Sequence, residues 1–266
     1  MQGSLLEKYR VFLVDLDGVI YLLDQAIKGS PEAINGIVNV GCKVLFLTNN
    51  SIHTPKHYAK KLKNFGISVT PEQVITSSIA TREYLRKNYM TNGLKAYIIG
   101  EEGLRREVAS LGIEIVSEAE AEGVNFVIVG LDRSFNFEKL KAACIGIRSG
   151  GILIGTNSDA TYPTPLGLWP GAGAILAAVK TAGGSEPVIL GKPNPLMIEI
   201  ALDRTNAKSD DVLLIGDRLE TDILAGIRAG LDTLLVLSGV SKREDVEKSG
   251  IKPTYIMDSI SGLFEE

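Results

Sequence analysis

Short β-forming runs that are apolar from end to end are the feature that most constrains this chain. Nine of them alternate with helix-length amphipathic segments: VFLV (11–14), KVLFL (43–47), QVIT (73–76), AYIIG (96–100), FVIVG (126–130), GILIG (151–155), PVIL (187–190), VLLIG (212–216) and TLLVL (233–237). Runs without polar alternation are typical of strands covered on both faces, as in a parallel sheet with helices above and below it. The alternation with helical segments predicts a parallel α/β architecture.

The polar residues that follow these runs divide the chain. The first, second, seventh and eighth runs each lead into a compact polar motif at the carboxyl end, where open α/β sheets bind their ligands. The runs between them mostly do not. We therefore predict a core formed by residues 1–78 and 185–266, with residues 79–184 inserted as a second, smaller α/β domain.

The composition of the 266 residues argues against several classes of protein. Apolar residues make up 45% and charged residues 23%, and the formal net charge is -4, so neither disorder nor a polyanion-binding surface is indicated. The N-terminus MQGSLLEKYR lacks the apolar segment of a signal peptide, and no apolar run approaches the roughly 20 residues that span a bilayer. We expect a soluble cytoplasmic protein that binds neither nucleic acid nor membrane.

Two carboxylates, Asp15 and Asp17, come directly after the first apolar run. Side chains two residues apart in a strand point to the same side, so these two would crowd together where the strand ends. Two unit charges about 4 Å apart repel by roughly 1 kcal/mol in water and about 4 kcal/mol at an effective dielectric near 20. Such a pair requires a cation or a shared proton.

Three further polar motifs complete a chemical pattern. With the first, they are DLDGV (15–19), TNNS (48–51), GKP (191–193) and GDRLETD (216–222). The four aspartates of the first and last motifs predict a site for a hard cation, and so few fixed ligands suit Mg²⁺ better than calcium. The hydroxyl and amide donors of the second motif and the lysine of the third suit a phosphoryl group. An aspartate nucleophile that forms an aspartyl-phosphate fits this set.

The ordered motifs resemble the haloacid dehalogenase superfamily of phosphatases, in particular its subclass IIA branch of NagD-like and p-nitrophenylphosphatase-like proteins. The resemblance covers essentially the full length. It includes the stretch GTNSDATYPTPLGLWPGAGA at 155–174, which is similar to the cap-domain signature of that branch, and SGV at 238–240. It implies a Rossmann-like parallel-sheet core with an inserted smaller α/β cap, Mg²⁺ as cofactor, and a homodimer formed through the cap.

The resemblance also implies roles for the aspartates. Asp15 matches the nucleophile that attacks phosphorus and also ligates Mg²⁺. Asp17 matches the general acid for the leaving oxygen and the later base for water, and its backbone carbonyl ligates the metal. Asp217 matches the acidic metal ligand, and Asp222 matches the second acid of that motif, which holds metal-bound water.

The donors are matched in the same way. Thr48 and Asn49 match the phosphate-binding second motif, with Asn50 beside them. Lys192 matches the lysine that holds the nucleophile and the phosphate together. The sequence keeps the family's residue at each of these positions, which favours an active enzyme.

Alternative functions stay open at this stage. A regulatory receiver domain also accepts phosphate on an aspartate at a strand end, a phosphotransferase or mutase would share the phosphoenzyme, and a non-catalytic scaffold would need no intact site. We favour a phosphatase for small phosphomonoesters such as a nucleoside monophosphate, phosphoglycolate or a sugar phosphate. Because the core motifs grip only phosphate, we expect Asp159 and Tyr162 of the inserted domain to contact the rest of the substrate.

Overall fold

The computed structural model describes residues 5–164 and 167–264. Its strands are β1 (Val11–Asp15), β2 (Tyr21–Leu22), β3 (Gln25–Ala26), β4 (Lys43–Thr48), β5 (Val74–Thr76), β6 (Lys95–Ile99), β7 (Glu114–Ile115), β8 (Phe126–Val129), β9 (Ile152–Gly155), β10 (Thr161–Thr164), β11 (Gly167–Pro170), β12 (Val188–Ile189), β13 (Val212–Gly216), β14 (Asp232–Val236) and β15 (Tyr255–Met257). Its α-helices are α1 (Leu5–Lys8), α2 (Ser30–Asn39), α3 (Pro55–Asn64), α4 (Ser77–Asn88), α5 (Glu102–Ala109), α6 (Phe137–Arg148), α7 (Ala172–Gly183), α8 (Leu196–Thr205), α9 (Leu224–Arg228) and α10 (Arg243–Ser249).

The chain forms two compact units. The first contains the described residues up to Thr48, Pro55–Ile75 and those from Lys192 onward, and the second contains Asn49–Thr54 and Thr76–Gly191. The domain boundaries expected from the sequence, 1–78, 79–184 and 185–266, stay predictions. By contacts, the short segment 49–54 groups with the inserted residues, and no feature of the sequence indicates this.

The first unit is built on a six-stranded sheet with the order β15-β14-β13-β1-β4-β5. Strand β1 is parallel to both of its neighbours, with Val11 opposite Val212 on one side and Lys43 on the other. All five residues of β1 are buried, as are those of β13, because side chains pack on both faces of the sheet. The apolar composition of these strands follows from this double coverage.

The second unit is built on a five-stranded parallel sheet with the order β12-β9-β8-β6-β7. Helices α6 and α7 pack on it, and the apolar cluster between them and the strands includes Tyr97, Val127 and Leu176. An antiparallel pair, β10 and β11, precedes α7 and places Tyr162 opposite Trp169.

Each of the nine apolar runs contains a strand, so the predicted parallel α/β fold is confirmed. One run lies in a different sheet from the one expected. The sequence-based division put residues 187–190 in the second core segment, but β12 pairs with β9, with Val188 opposite Ile154. A run of four apolar residues carries no signal for its partner strand, which long-range packing selects.

In the part of the chain that the structure describes, no helix has the length and apolar character needed to cross a membrane.

Candidate active site

Asp15 lies at the carboxyl end of β1, the strand at which the order of the first sheet reverses. In the sheet, β4 and β5 lie on one side of β1, and β13, β14 and β15 lie on the other. The carboxyl ends at such a reversal form the crevice in which open α/β sheets bind ligands. Asp15 is only 7% exposed there. The buried strand therefore fixes the position of this carboxylate at the expected ligand crevice.

Lys192 supplies positive charge to this site. Its Nζ donates hydrogen bonds to Asp15 Oδ1 at 2.5 Å and Asp222 Oδ1 at 2.6 Å, and a longer one to the Leu47 carbonyl at 3.4 Å. Burial alone would lower the pKa of the Lys192 ammonium, but the two carboxylates raise it above its ordinary value. Removing one member of a buried ionic group leaves an uncompensated charge, so the three side chains hold one another in place.

Asp217 and Asp222 bring two more carboxylates to the same crevice. Asp217 directly follows β13, and Asp222 lies in a single π-helical turn over Leu219–Ile223. Carboxylate oxygens of Asp15, Asp217 and Asp222 all lie within 4.8 Å of one another. The backbone N–H of Val240 donates a hydrogen bond to Asp217 Oδ2 at 2.7 Å, which fixes the orientation of that carboxylate.

Glycines make this close approach possible. A Cβ at Gly18 would lie 2.3 Å from Asp217 Oδ2, and a Cβ at Gly239 would lie 2.0 Å from the same oxygen. Gly18 also has a φ of +82°, which a residue with a side chain rarely adopts. A Cβ at Gly216 would lie 2.1 Å from the Cβ of Asp222. The glycines in the DLDG, SGV and GDRLETD motifs thus leave room for the carboxylates.

The cluster carries more negative than positive charge. Burial raises the pKa of Asp15 well above its ordinary value, since Lys192 offsets only part of the effect and Asp222 adds to it. Burial and the neighbouring Asp222 carboxylate also raise the pKa of Asp217 to about 7, although the Val240 N–H stabilises the ionised form. One lysine does not neutralise three buried carboxylates.

The donor set fits a hard divalent cation. Carboxylate oxygens are the ligands that Mg²⁺ prefers, and the oxygens of Asp15, Asp217 and Asp222 are close enough to share one ion. A bound cation would also offset the charge that raises the pKa of Asp217. The structure therefore brings together three of the four predicted acidic residues. The fourth, Asp17, lies two residues beyond Asp15, is half-buried, and also raises the pKa of Asp15.

The second motif is divided between the two units. Thr48 is the last residue of β4, is buried and belongs to the first unit, whereas Asn49 and Asn50 belong to the second. The Asn50 side chain accepts a hydrogen bond from the backbone N–H of Ile52 at 3.0 Å and so closes a local turn. The roles predicted for these residues in phosphate binding stay predictions.

Asn49 is held within the second unit by three side chains. Its carbonyl accepts hydrogen bonds from Ser77 Oγ at 2.6 Å and from Asn157 Nδ2 at 2.7 Å. Its own Nδ2 donates to Asp159 Oδ2 at 3.1 Å. Asp159, predicted to contact substrate, therefore contacts the asparagine of the second motif in the structure.

Tyr162, the other predicted recognition residue, lies on β10 and is half-buried. Its ring packs edge-on against Trp169, with a centroid separation of 6.3 Å, and also against the apolar cluster of the second unit. Trp169 is 46% exposed. Trp169 is the only tryptophan of the chain and lies inside the 155–174 signature. The signature could therefore have indicated that Trp169 lies near Tyr162.

Sequence reasoning did not assign roles to Ser77, Asn157 or Val240. Asn157 and Val240 do lie inside two of the sequence motifs, GTNSD and SGV. In the structure, the Asn157 side chain donates to the Asn49 carbonyl and the Val240 N–H donates to the Asp217 carboxylate. Ser77 has no motif around it, because its partner Asn49 is 28 residues away in the sequence.

Known proteins with similar sequences are hydrolases. The sequence matches the haloacid dehalogenase-like hydrolase family over residues 12–114 and the HAD-hydrolase-like family over residues 189–263. It is 39% identical to the 5'-nucleotidase YutF of Bacillus subtilis over 96% of this chain and 98% of that protein. It is 35% identical to an acid sugar phosphatase of Staphylococcus aureus over 98% of this chain and 99% of that protein.

A solved structure of similar fold is the glycerol phosphate phosphatase from Mycobacterium tuberculosis in complex with magnesium. It aligns with a TM-score of 0.91 at 32% identity, covering 99% of this chain and 78% of that chain. The chain belongs to the haloacid dehalogenase-like hydrolase family. Its relatives are NagD-like phosphatases, consistent with subclass IIA, and the predicted enzyme class, a phosphoric monoester hydrolase, is confirmed.

Proposed function

We propose that this enzyme is a Mg²⁺-dependent phosphatase that hydrolyses small phosphomonoesters through an aspartyl-phosphate on Asp15. The observation that carries the proposal is the buried group of Asp15, Lys192, Asp217 and Asp222 at the carboxyl ends of β1 and β13. A phosphate dianion would not enter so negative a site without a cation. Asp15, Asp217 and the backbone carbonyl of Asp17 would hold Mg²⁺, which would offset this charge, and Asp222 would stabilise the ion through water.

The chain's own residues supply the two chemical steps. In the first, an oxygen of Asp15 bonds to phosphorus, the ester P–O bond breaks, and Asp17 gives its proton to the leaving oxygen. In the second, water attacks the same phosphorus and loses a proton to Asp17, so that phosphate and the Asp15 carboxylate are released. Lys192 holds the nucleophile through its 2.5 Å hydrogen bond, while Thr48 and Asn49 bind phosphate oxygens.

Substrate recognition is assigned to the second unit. The named relatives act on nucleotides, sugar phosphates and glycerol phosphate, which share only a phosphomonoester on a small polar body. We propose that Asp159 and Tyr162 contact the part of the substrate beyond the phosphate. We also propose that the enzyme acts on metabolites in the cytoplasm. In addition, we propose that it forms a homodimer through the inserted unit, and light scattering would test whether the protein is a dimer.

Phosphate release from a panel of metabolite monoesters tests the function. The panel should include nucleoside monophosphates, phosphoglycolate, sugar phosphates and glycerol phosphate, each assayed with Mg²⁺ and again in EDTA. We expect release of inorganic phosphate that EDTA abolishes. An unchanged rate from metal-stripped protein would contradict the proposed metal site, and transfer of the phosphoryl group to an added alcohol in preference to water would identify a phosphotransferase.

A further inference from the structure

The sheet of the second unit has its own topological reversal, at β6 and β8. The chain passes from β6 to β7 on one side and then to β8, β9 and β12 on the other. In an open α/β sheet the crevice at the carboxyl ends of such strands is the expected place for a ligand. Here that crevice is occupied by residues 51–53 of the same chain.

Ser51 enters the crevice beside β8. Its Oγ accepts a hydrogen bond from the backbone N–H of Leu131 at 3.3 Å, and its carbonyl accepts one from Ser78 Oγ at 3.2 Å. A Cβ at Gly130 would lie 2.5 Å from Ser51 Oγ. Glycine after β8 thus gives Ser51 the space that it fills, and the Ser51 side chain is fully buried.

Ile52 and His53 contact the start of the helix that follows β6, the other strand of the reversal. The backbone N–H of Gly103, in the first turn of the helix that follows β6, donates to the Ile52 carbonyl at 2.8 Å. A Cβ at Gly103 would lie 2.5 Å from the His53 carbonyl oxygen. The helix start that binds anions or polar ligands in related sheets therefore binds a carbonyl of the chain itself.

Asn49 is fixed at the end of this bound segment. Ser77 and Asn157, which are both buried, donate to one carbonyl oxygen, at 2.6 and 2.7 Å. Two donors on one acceptor restrict the rotation of the Asn49–Asn50 peptide plane. A displacement of about 1 Å in a group that binds the reacting phosphate can cost on the order of 10²-fold in rate, so this restriction bears directly on phosphate binding.

We propose that the inserted unit uses its ligand crevice to bind residues 49–54 of its own chain, and that Ser77 and Asn157 are positioning residues for the phosphate-binding Asn49. The inference rests on the proposed phosphatase function. It gives the second unit a task in phosphate binding that is separate from recognition of the rest of the substrate. It also explains why Asn157, inside the GTNSD motif, is buried and not exposed to a ligand.

Two substitutions on one helix provide a matched test. Ser77→Ala removes the hydroxyl that binds the Asn49 carbonyl, whereas Thr81→Val removes a buried hydroxyl one turn later that donates to the Ser77 carbonyl. We expect Ser77→Ala to raise both KM and the inhibition constant of inorganic phosphate about three- to tenfold, the effect of one lost hydrogen bond. Thr81→Val should change both constants less than about twofold. Asn157→Ser should behave like Ser77→Ala.

A second pair tests the crevice itself. Gly130→Ala places a methyl group against Ser51 Oγ, and Gly183→Ala places one 2.5 Å from the Cδ1 atom of Ile147 in the same unit. Gly130→Ala should raise KM and the phosphate inhibition constant together, and Gly183→Ala should change neither.

A purely structural role would lower kcat through loss of folded enzyme and leave both constants unchanged, and that result for Ser77→Ala and Asn157→Ser would overturn the inference. An equal rise in Thr81→Val would overturn it as well. If the wild-type protein releases no phosphate from any ester, the proposed function fails and the inference fails with it. Active wild-type enzyme with unaffected variants refutes the inference alone.

Discussion

The carboxyl edges of the two parallel sheets differ in how their charges are compensated. At the edge of the first sheet, Asp15, Asp217 and Asp222 are buried, and Lys192 forms ion pairs with Asp15 and Asp222. At the edge of the second sheet, the buried Asp132 has its own partner, Lys139, at 2.6 Å.

Among the described residues, the other buried polar side chains of the second unit are uncharged. Thr156, Asn157 and Ser51 are buried there and make hydrogen bonds within the unit. A buried charge without compensation is costly, so an edge that keeps excess charge requires a ligand, and an edge that balances its charge does not. The same architecture thus leaves excess negative charge at the edge of one sheet and balanced charge at the edge of the other.

The largest effect should come from the uncompensated edge. Asp15→Asn removes the proposed nucleophile, because an amide does not displace the ester oxygen, and should lower kcat by about 10⁴-fold or more. Phosphate release from the best substrate of the panel measures this, with circular dichroism as the control for folding. Retention of more than about a hundredth of wild-type turnover would contradict the covalent mechanism.

At the edge of the second sheet, where the charges are balanced, a substitution should change the free energy of unfolding. Asp132→Asn breaks the buried pair with Lys139 and should lower the free energy of unfolding by about 3 kcal/mol at pH 7, measured with urea. Glu102→Gln, in an exposed pair with Arg106 on the same unit, should cost less than about 0.5 kcal/mol. An equal loss in the two variants would show that burial does not distinguish these pairs.

The stabilisation by Asp132 should depend on pH in a defined direction. Burial opposes ionisation, but the hydrogen bonds from Lys139 and Ser134 prevail and hold the pKa of Asp132 below its ordinary 3.8. A lowered folded-state pKa gives stability that is fully present above pH 3.8 and is lost as the pH falls through the folded pKa. The difference between wild type and Asp132→Asn should therefore be constant from pH 8 to 5 and shrink below about pH 4.

At the edge of the first sheet we expect a substitution that stabilises the protein against unfolding. In metal-free protein at pH 8, burial and the Asp222 charge disfavour the ionised form of Asp217, whose pKa is raised to about 7. Asp217→Asn keeps an acceptor for Val240 and should stabilise the protein in EDTA by on the order of 2 kcal/mol. Thermal unfolding would measure it, with the exposed Asp203→Asn as the control. A lower melting temperature for Asp217→Asn would mean that the carboxylate is compensated after all.

The smallest effect concerns recognition. Tyr162→Ala removes a side chain proposed to contact the substrate body and should raise KM for the natural ester about fivefold, with little change in turnover of p-nitrophenyl phosphate. Tyr162→Phe, which keeps the ring against Trp169, separates the ring from its hydroxyl. If Tyr162→Ala affects both esters alike, recognition lies elsewhere in the second unit.

The sequence predicts strands and strand-end motifs well because both are local. A doubly covered strand must be apolar along its length, and the polar groups at the reversal of a sheet follow such strands directly, as Asp15 and Asp217 do. The edge strand β15 has half-buried residues only and shows no such run. Helix α2 contains Gly36 and several β-branched residues, which weaken its helical pattern.

Partnerships between distant residues could not be predicted in this way. The Val240 N–H that binds Asp217 is a backbone group without a sequence signature, and the hydroxyl of Ser77 resembles any other serine hydroxyl. The segment 49–54 has no composition that would assign it to either unit. The segment lies against glycines at positions 103 and 130, which only the folded chain brings next to it.

The grouping of residues 49–54 with the second unit has a consequence for protein engineering. An exchange of the inserted domain between relatives could be cut at the two junctions of the insertion. In this chain such a cut would transfer residues 76–191 and leave behind the peptide that the crevice binds. A chimera would then combine the crevice of one protein with Ser51 and His53 of another. The smallest unit that can be exchanged is therefore discontinuous, because residues 49–54 must be transferred together with the insertion.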